Sequence, residues 1–333
     1  MDFDDSRVLV TGGAGFLGSH LVERLLEEDC EVVIADDFSR GRIEHIEPYE
    51  DEVELRPVDL TTEVGCRRAT EGIDHVFHLA ASVGDIHYIQ RENVGGLTPS
   101  VLMNHHLLEA ARRNGVKRFL FASSACIYRQ QHDELNRFSE NQAVPANPHS
   151  TYGWAKILGE VGCRAYHDDT EMNCGMVRIF NAYGTRESLD PESSHVIPSL
   201  CRKAIEEPDG GSIELFGDGS QERGFIHVAD CAEGMIRALE HKTDAEAVNL
   251  GNGKEVVSIN ELAETIIEIS GKELTIEHDI SKPTGTDKYA ADTALMEDSL
   301  DWHPKVPLKE GVREVYDWAE EKLASERTIE GTA

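Results

Sequence analysis

The segment Arg7–Leu26, RVLVTGGAGFLGSHLVERLL, constrains the chain more than any other. Val8, Leu9 and Val10 run into glycines, after which Leu17, Leu21 and Leu25 recur at helical spacing, so the segment reads strand, tight turn, helix. Gly12, Gly15 and Gly18 stand three apart where the chain must turn sharply, bring bare backbone against a ligand and start a helix flush on its strand. The free N–H groups and positive dipole end of that helix suit a pyrophosphate. A second apolar strand, Glu31–Ala35, ends in Asp36, an acid about 20 residues past the glycines, where a carboxylate meets the ribose of a dinucleotide. An acid there repels a 2′-phosphate. The pattern therefore predicts NAD rather than NADP, held by Gly12, Gly15, Phe16, Leu17, Gly18 and Asp36.

The following segments extend this pattern. Val53–Val58 is predicted as a third strand, with Asp59 and Leu60 at its carboxyl end on the adenine side of the cofactor. A fourth, Asp74–Leu79, runs into Ala80 and Ala81, and the small residues after Leu79 let a cofactor lie close. A helix over about Leu97–Asn114 precedes a fifth strand at Arg118–Ala122, and a sixth covers Asn173–Phe180. Alternation of strand and helix without an internal repeat predicts an α/β fold, a doubly wound parallel sheet with ligands at the carboxyl ends of its strands. Past Phe180 the alternation loosens. Helices are expected at Pro198–Glu206, Ile259–Ile269 and Leu308–Leu323, strands near Ile213–Gly219, Ala247–Asn252 and Leu274–His278, and a disordered end at Thr328–Ala333. The expected division is a dinucleotide-binding domain over 1–180, to which the chain returns around 225–252, and a smaller α/β substrate domain over 181–333.

Composition excludes several classes of function. The net charge of −31, from 63 acids against 32 bases, argues against nucleic acid as a partner. No apolar run approaches the roughly 18 residues of a membrane span, and no apolar leader precedes the first strand, so a chain that is neither membrane-bound nor exported is expected. Seven scattered cysteines without a C-x-x-C predict reduced thiols in a cytoplasm, with no disulfide frame and no metal site. The acids are spread along folded segments, even at Glu27, Glu28 and Asp29, at the end of the first helix where negative charge is unfavourable. An ordinary acidic surface is one reading; a halophilic protein from a high-salt cytoplasm, where screening relieves self-repulsion, is the favoured one.

The chemistry is concentrated after the fifth strand, which ends in Ser123-Ser124-Ala125-Cys126-Ile127-Tyr128. The polar stretch 129–150, with Pro145 and Pro148, reads as an active-site loop. Tyr152-Gly-Trp-Ala-Lys156 follows at the head of a helix, and i, i+4 spacing puts Tyr152 and Lys156 on one face. A nearby ammonium, with the cationic nicotinamide, lowers a phenol from its usual pKa near 10 towards neutrality, which makes such a pair an acid/base unit. Ser124 is placed to hydrogen-bond the substrate hydroxyl that Tyr152 deprotonates.

These motifs, with DHVFHLAA, VRIFNAYG, LFGDGSQERGFIHVAD, VNLGNG and LDWHPKVPLKEGV, resemble the extended short-chain dehydrogenase/reductases, the nucleotide-sugar epimerases and dehydratases, over nearly the whole chain. The resemblance implies a Rossmann fold, tightly held and recycled NAD, catalytic Ser124, Tyr152 and Lys156, and cofactor contacts reaching Phe180. It also implies a nucleoside diphosphate-sugar substrate near Asn181, Lys203, Gln221, Arg223 and Lys282, and a homodimer built from two helices of each subunit. Dehydratases and decarboxylases of this family carry an acid where Ala125 and Cys126 stand. GDP-mannose 3,5-epimerases have a cysteine at that place as a base beside a C–H made acidic by a transient 4-ketone, and the likeness extends to Tyr88–Gln90 and to Cys201–Ala204. Cys126 as a catalytic base and Cys126 as a small core residue replacing a 4-epimerase threonine are both open, as is a net 4-keto sugar reductase. The chain departs from the pattern in three places. The 3,5-epimerase lysine falls near Val196, beside His195; the helix asparagine falls at Ser100; and the arginines before the last helices are thinned to Lys282 and Lys288.

Overall fold

The computed structural model describes residues 3, 5–82, 93–128, 137–148, 150–191, 193–282, 284 and 287–330. Strands β1 (Ser6–Thr11), β2 (Cys30–Asp36), β3 (Val53–Pro57), β4 (His75–His78), β5 (Arg118–Ser124) and β6 (Asn173–Ile179) come first. After them lie β7 (Ala182–Tyr183), β8 (Ser212–Phe216), β9 (Glu222–Gly224), β10 (Ile226–His227), β11 (Ala247–Leu250), β12 (Val256–Ser258), β13 (Thr275–Asp279) and β14 (Lys288–Tyr289). The helices are α1 (Phe16–Leu25), α2 (Glu63–Ala69), α3 (Asn93–Arg113), α4 (Thr151–Asp169), α5 (Val196–Glu206), α6 (Val228–His241), α7 (Ile259–Ser270), α8 (Ala294–Leu300) and α9 (Leu308–Glu330).

Seven strands form one parallel sheet in the order β11-β6-β5-β4-β1-β2-β3, the doubly wound Rossmann arrangement expected. Successive side chains of a strand point to opposite faces, and here both faces are covered. Val8, Val10, Val32 and Ile34 pack with Leu21 and Leu25 of α1, Met235 and Leu239 of α6 and Met296 of α8. Leu9, Val33 and Val76 pack on the other side with Cys66 of α2, Leu107 and Ala111 of α3 and Cys163 of α4. Two-sided burial is why these strands read as unbroken apolar runs. A separate core joins α5, α7 and α9 to β8 through Leu200, Ile266, Val315 and Leu215.

The structure departs from expectation at several points. Helix α3 starts at Asn93, before Leu97, and carries Pro99 in its second turn. Helix α9 continues to Glu330, so Thr328–Glu330, expected to be disordered, are helical. No glycine or proline lies between Leu323 and Glu330 to interrupt the backbone bonding. The acids after α1 are also compensated: Arg24 in its last turn meets Glu28 at 2.6 Å, Glu27 at 3.6 Å and Glu233 of α6 at 3.0 Å. Among the described residues no helix is long and apolar enough to cross a membrane.

Candidate active site

The glycine turn is shaped by close approach. Gly12 has φ +70°, and a Cβ on it would stand 3.0 Å from the Ala80 amide nitrogen; one on Gly18 would meet the Gly12 carbonyl oxygen at 2.1 Å. Gly15 caps α1 without a side-chain bond, and no acid lies in the first turn, so the N–H groups at Phe16 and Leu17 are left for an anion. Asp36 closes β2 with Oδ2 accepting from the Ala14 N–H at 3.0 Å and Oδ1 from Phe38 at 2.9 Å. Burial raises its pKa, and those two N–H groups pull it back. Leu79 and Ala80 donate their N–H groups to Thr11 Oγ1 at 3.1 and 3.2 Å, with Ala81 half-buried beside them. Asp59 holds its own turn through Thr61, and Leu60 is buried beneath it. An open helix end, bare backbone at the turn and a carboxylate at the end of β2 fit a pyrophosphate and a ribose.

The cluster of Ser124, Tyr152 and Lys156 is assembled from β5 and α4. Ser124 ends β5 and caps the short turn Ala125–Ile127, its Oγ accepting from the Cys126 N–H at 3.1 Å. Ser150 caps α4 by accepting from the Gly153 N–H at 3.1 Å, which starts the helix where Tyr152 faces β5. Gly153 permits the approach: a Cβ there would lie 2.5 Å from the Cys126 carbonyl oxygen. Ser124 neighbours both Tyr152 and the Cys126 thiol and acts to lower the pKa of each. Lys156 donates to the Ala122 carbonyl at 2.6 Å, with its ammonium 5.5 Å from the Tyr152 ring centroid.

Burial dominates the electrostatics of the chain's own groups. Burial, with the neighbouring Cys126, raises the Tyr152 pKa, although Ser124 opposes the shift. Burial likewise raises the Cys126 thiol, against Ser124 and Lys156, and brings Lys156 down to about 8. The Lys156 charge is spent on the Ala122 carbonyl and does not overcome desolvation of the phenol. In the protein alone Tyr152 and Cys126 are proton holders.

On the other side of the site stands Tyr289, a residue the sequence did not single out. Tyr289 of β14 packs against Phe180 and Phe138 at 5.6 and 5.5 Å, and burial, with Cys126 and Tyr152 nearby, raises its pKa. The Arg223 guanidinium lies 6.0 Å from its ring centroid, and Asn181 donates Nδ2 to the Tyr289 and Gly224 carbonyls at 3.2 and 3.0 Å. Asn181 and Arg223 therefore sit beside Tyr289, next to Cys126 and Tyr152, and the Phe180 side chain is enclosed in this aromatic cluster. Lys203 and Lys282 converge elsewhere, their ammonium groups 5.4 and 5.5 Å from the ring of half-exposed Phe216. Gln221 is buried and makes one long contact to Asp218, 3.4 Å. His195 is largely solvent-exposed and paired with buried Glu187, while buried Ser100 accepts from the Ser82 N–H at 3.2 Å. Tyr88–Gln90 lie outside the described residues.

A family model described as the NAD dependent epimerase/dehydratase family matches residues 8–251, about three quarters of the chain and the whole glycine turn and acid/base group. The chain belongs to this epimerase/dehydratase family. It is 37% identical over 324 residues to GDP-mannose 3,5-epimerase 1 of Oryza sativa subsp. japonica, covering 97% of this chain and 84% of that one. The fold superposes on the UDP-glucose 4-epimerase of Thermotoga maritima with UDP-glucose at a TM-score of 0.85, with 26% identity, 95% of this chain and 99% of that chain. It superposes on the Thermus thermophilus UDP-glucose 4-epimerase complex with NAD at 0.80, with 29% identity, 94% and 98%. The cofactor of this epimerase/dehydratase family member is NAD. Among the described residues there is no group of three or more His, Cys, Asp or Glu side chains arranged to hold a metal ion.

Proposed function

We propose that the protein is a nucleotide-sugar epimerase that inverts C3 and C5 of a GDP-hexose of the GDP-mannose class through a transient 4-keto sugar. The observation that carries this reading is Cys126. It lies beside Ser124 and close enough to Tyr152 to act on its pKa, at the point where the acid of a dehydratase or decarboxylase would stand. The similarity to a GDP-mannose 3,5-epimerase over 97% of the chain supports the same branch.

Bound NAD supplies a hydride acceptor that is restored within each turnover. Tyr152 takes the proton of the sugar 4-hydroxyl, with Ser124 orienting that hydroxyl and Lys156 holding positive charge beneath the phenol ring. The positive charge of an oxidised nicotinamide in the site would add to that of Lys156 in offsetting the burial that keeps Tyr152 protonated. Cys126, as the thiolate that the same positive charge favours, then removes a proton from carbon next to the ketone; the electron pair passes into the enolate, and solvent returns a proton on the opposite face. Asn181 and Arg223 lie towards the diphosphate. Lys203, Phe216 and Lys282 offer an aromatic face and two cations to the nucleotide end, in a chain of net charge −31.

The division at residue 180, with the return near 225–252, follows the cofactor and substrate ends of this reading. A homodimer through α3 and α4 is supported by Leu102, Trp154, Leu158 and Val161, all exposed, the last three on one face of α4. Free thiols at all seven cysteines suit a cytoplasm.

The test is product analysis by proton NMR after incubation with GDP-mannose, UDP-glucose and dTDP-glucose. Inversion at C3 and C5 of GDP-mannose supports the reading. Inversion at C4 of UDP-glucose alone replaces it with a 4-epimerase, in which Cys126 is packing. Stoichiometric oxidation or reduction with release of the nicotinamide replaces it with a net reductase.

A further inference from the structure

Thr11, His78, Asn104 and Ala155 are joined by hydrogen bonds whose direction follows from counting protons. Thr11 Oγ1 accepts the Ala80 N–H at 3.2 Å and, at 3.1 Å, the Leu79 N–H, which it shares with the Thr11 carbonyl oxygen at 3.3 Å. Both lone pairs are then engaged, so its single hydrogen points at the remaining neighbour, His78 Nδ1, 2.8 Å away. Nδ1 is the acceptor, the neutral ring carries its proton on Nε2, and that N–H donates to Asn104 Oδ1 at 3.0 Å. With its oxygen assigned, the Asn104 amide directs Nδ2 at the Ala155 carbonyl, 3.2 Å away. Thr11 and His78 are fully buried and Asn104 is 6% exposed, so water does not compete for these bonds.

The two ends of this chain are the two halves of the site. Thr11 closes β1 immediately before Gly12, and its hydroxyl holds the Leu79–Ala80 backbone against which Gly12 packs. Ala155 lies between Tyr152 and Lys156 on α4. One turn further on, Gly159 leaves room for the amide, since a Cβ there would stand 3.0 Å from Asn104 Nδ2. The span crosses from the cofactor floor to the helix that bears the acid/base pair without a flexible joint. An imidazolium at His78 would offer two donors and no acceptor to the Thr11 hydroxyl, and would put a second buried cation near Lys156. Burial, helped by Lys156, excludes it by holding the ring pKa at about 3.

We propose that His78 and Asn104 are positioning residues: together they set the distance and angle between the dinucleotide floor at Gly12 and Ala80 and the Tyr152–Lys156 pair. The kinetic part of the test rests on the hydride-transfer reading above. The spectroscopic part does not.

Asn104→Ala removes both bonds of the amide, whereas Asn104→Asp keeps an acceptor for His78 Nε2–H and loses the donor to Ala155. A misplacement of about 1 Å costs on the order of 10²-fold in rate, so both variants, isolated with NAD bound, are expected to lose about 10- to 100-fold in kcat on GDP-mannose, with KM changed less than about threefold. A fall in thermal midpoint with kcat within about twofold of the parent would assign Asn104 to packing and overturn the proposal. Should Asn104→Ala fail to fold, Asn104→Asp and His78→Gln, which retains a donor near the Nε2 position, carry the same comparison. Nitrogen-15 histidine NMR of the NAD-loaded parent needs no substrate and should report His78 as the neutral Nε2–H tautomer at neutral pH. An Nδ1–H tautomer or an imidazolium overturns the chain of bonds even if GDP-mannose is not the substrate. The expected tautomer with no turnover of GDP-mannose by the parent supports the span and rejects the substrate.

Discussion

Arg178 and Glu160 face each other in a buried two-point ion pair, Nε to Oε1 at 2.9 Å and Nη2 to Oε2 at 2.8 Å. Ser123 donates to the same Oε1 at 2.7 Å, and Arg178 Nη1 donates to the Tyr128 hydroxyl at 3.0 Å and the Glu140 carbonyl at 2.9 Å. The network ties β5, β6 and α4 together one residue from Ser124 and one turn from Lys156. Removing one partner of such a pair leaves an unmatched buried charge, which costs about 3–5 kcal/mol. Glu160→Gln should lower the unfolding free energy by about that amount in denaturant titration, and pairing Glu160→Leu with Arg178→Met should recover much of it. An unchanged midpoint in Glu160→Gln would mean that the pair does not carry the junction.

Asp36 accepts from Ala14 and Phe38, and a Cβ on Gly41 would lie 2.7 Å from its Oδ1, so the chain after β2 folds over the carboxylate. Asp36→Ala should weaken NAD binding and narrow the preference over NADP, because the carboxylate both accepts ribose hydroxyls and repels a 2′-phosphate. Calorimetric titration with the two nucleotides checks it. Equal discrimination in parent and variant would remove Asp36 from the ribose.

What was legible in the sequence was what is encoded locally. Two-sided burial writes β1, β2, β4 and β5 as apolar runs, and the glycine turn and the Tyr152–Lys156 spacing lie each within one element. Tyr289, His78 with Asn104, and the Arg178–Glu160 pair were missed because each acts through a partner distant in the chain, and a lone Tyr, His or Asn has no spacing to betray it. Burial was illegible for a related reason: i, i+4 spacing places Lys156 beside Tyr152 but says nothing of the Ala122 carbonyl that engages the ammonium, nor of how deeply the phenol is buried. The end of α9 was misplaced because polar composition alone does not break a helix.

His75 and His78 are buried and His20 is half-buried, and chiefly through desolvation the pKa values of His20, His75 and His78 fall to about 4, about 4 and about 3. In the unfolded chain each titrates near 6.5. As pH falls below that value the unfolded state takes up protons that the folded state refuses, so the stabilisation present above pH 6.5 is lost on the way down to about pH 4. Each group contributes a slope of about 1.4 kcal/mol per pH unit, or about 4 for the three together. Unfolding free energies measured at fixed KCl between about pH 7 and pH 4.5 should show this slope. Stability flat over that interval would mean the three rings are not held neutral.

The excess of 63 acids over 32 bases makes the fold sensitive to salt. At about 0.01 M salt the Debye length is about 30 Å, so repulsion sums over the whole molecule, and in molar salt it is confined to a few Å. The thermal midpoint should rise steeply with KCl into the molar range, with full activity only at high salt. A midpoint that is flat from dilute buffer to about 2 M KCl would contradict a halophilic origin for the charge.

The most direct measurement of the proposed chemistry is solvent deuterium incorporation into GDP-mannose by the parent, Cys126→Ser and Tyr152→Phe. A general base contributes about 10²- to 10⁴-fold, so Cys126→Ser should lose at least about 100-fold in label uptake at C3 and C5 while still reducing its bound nicotinamide transiently. Tyr152→Phe should lose both signals with NAD retained. The account is contradicted if Cys126→Ser takes up deuterium at the parental rate, or if the parent inverts a sugar at C4 with no label at any carbon.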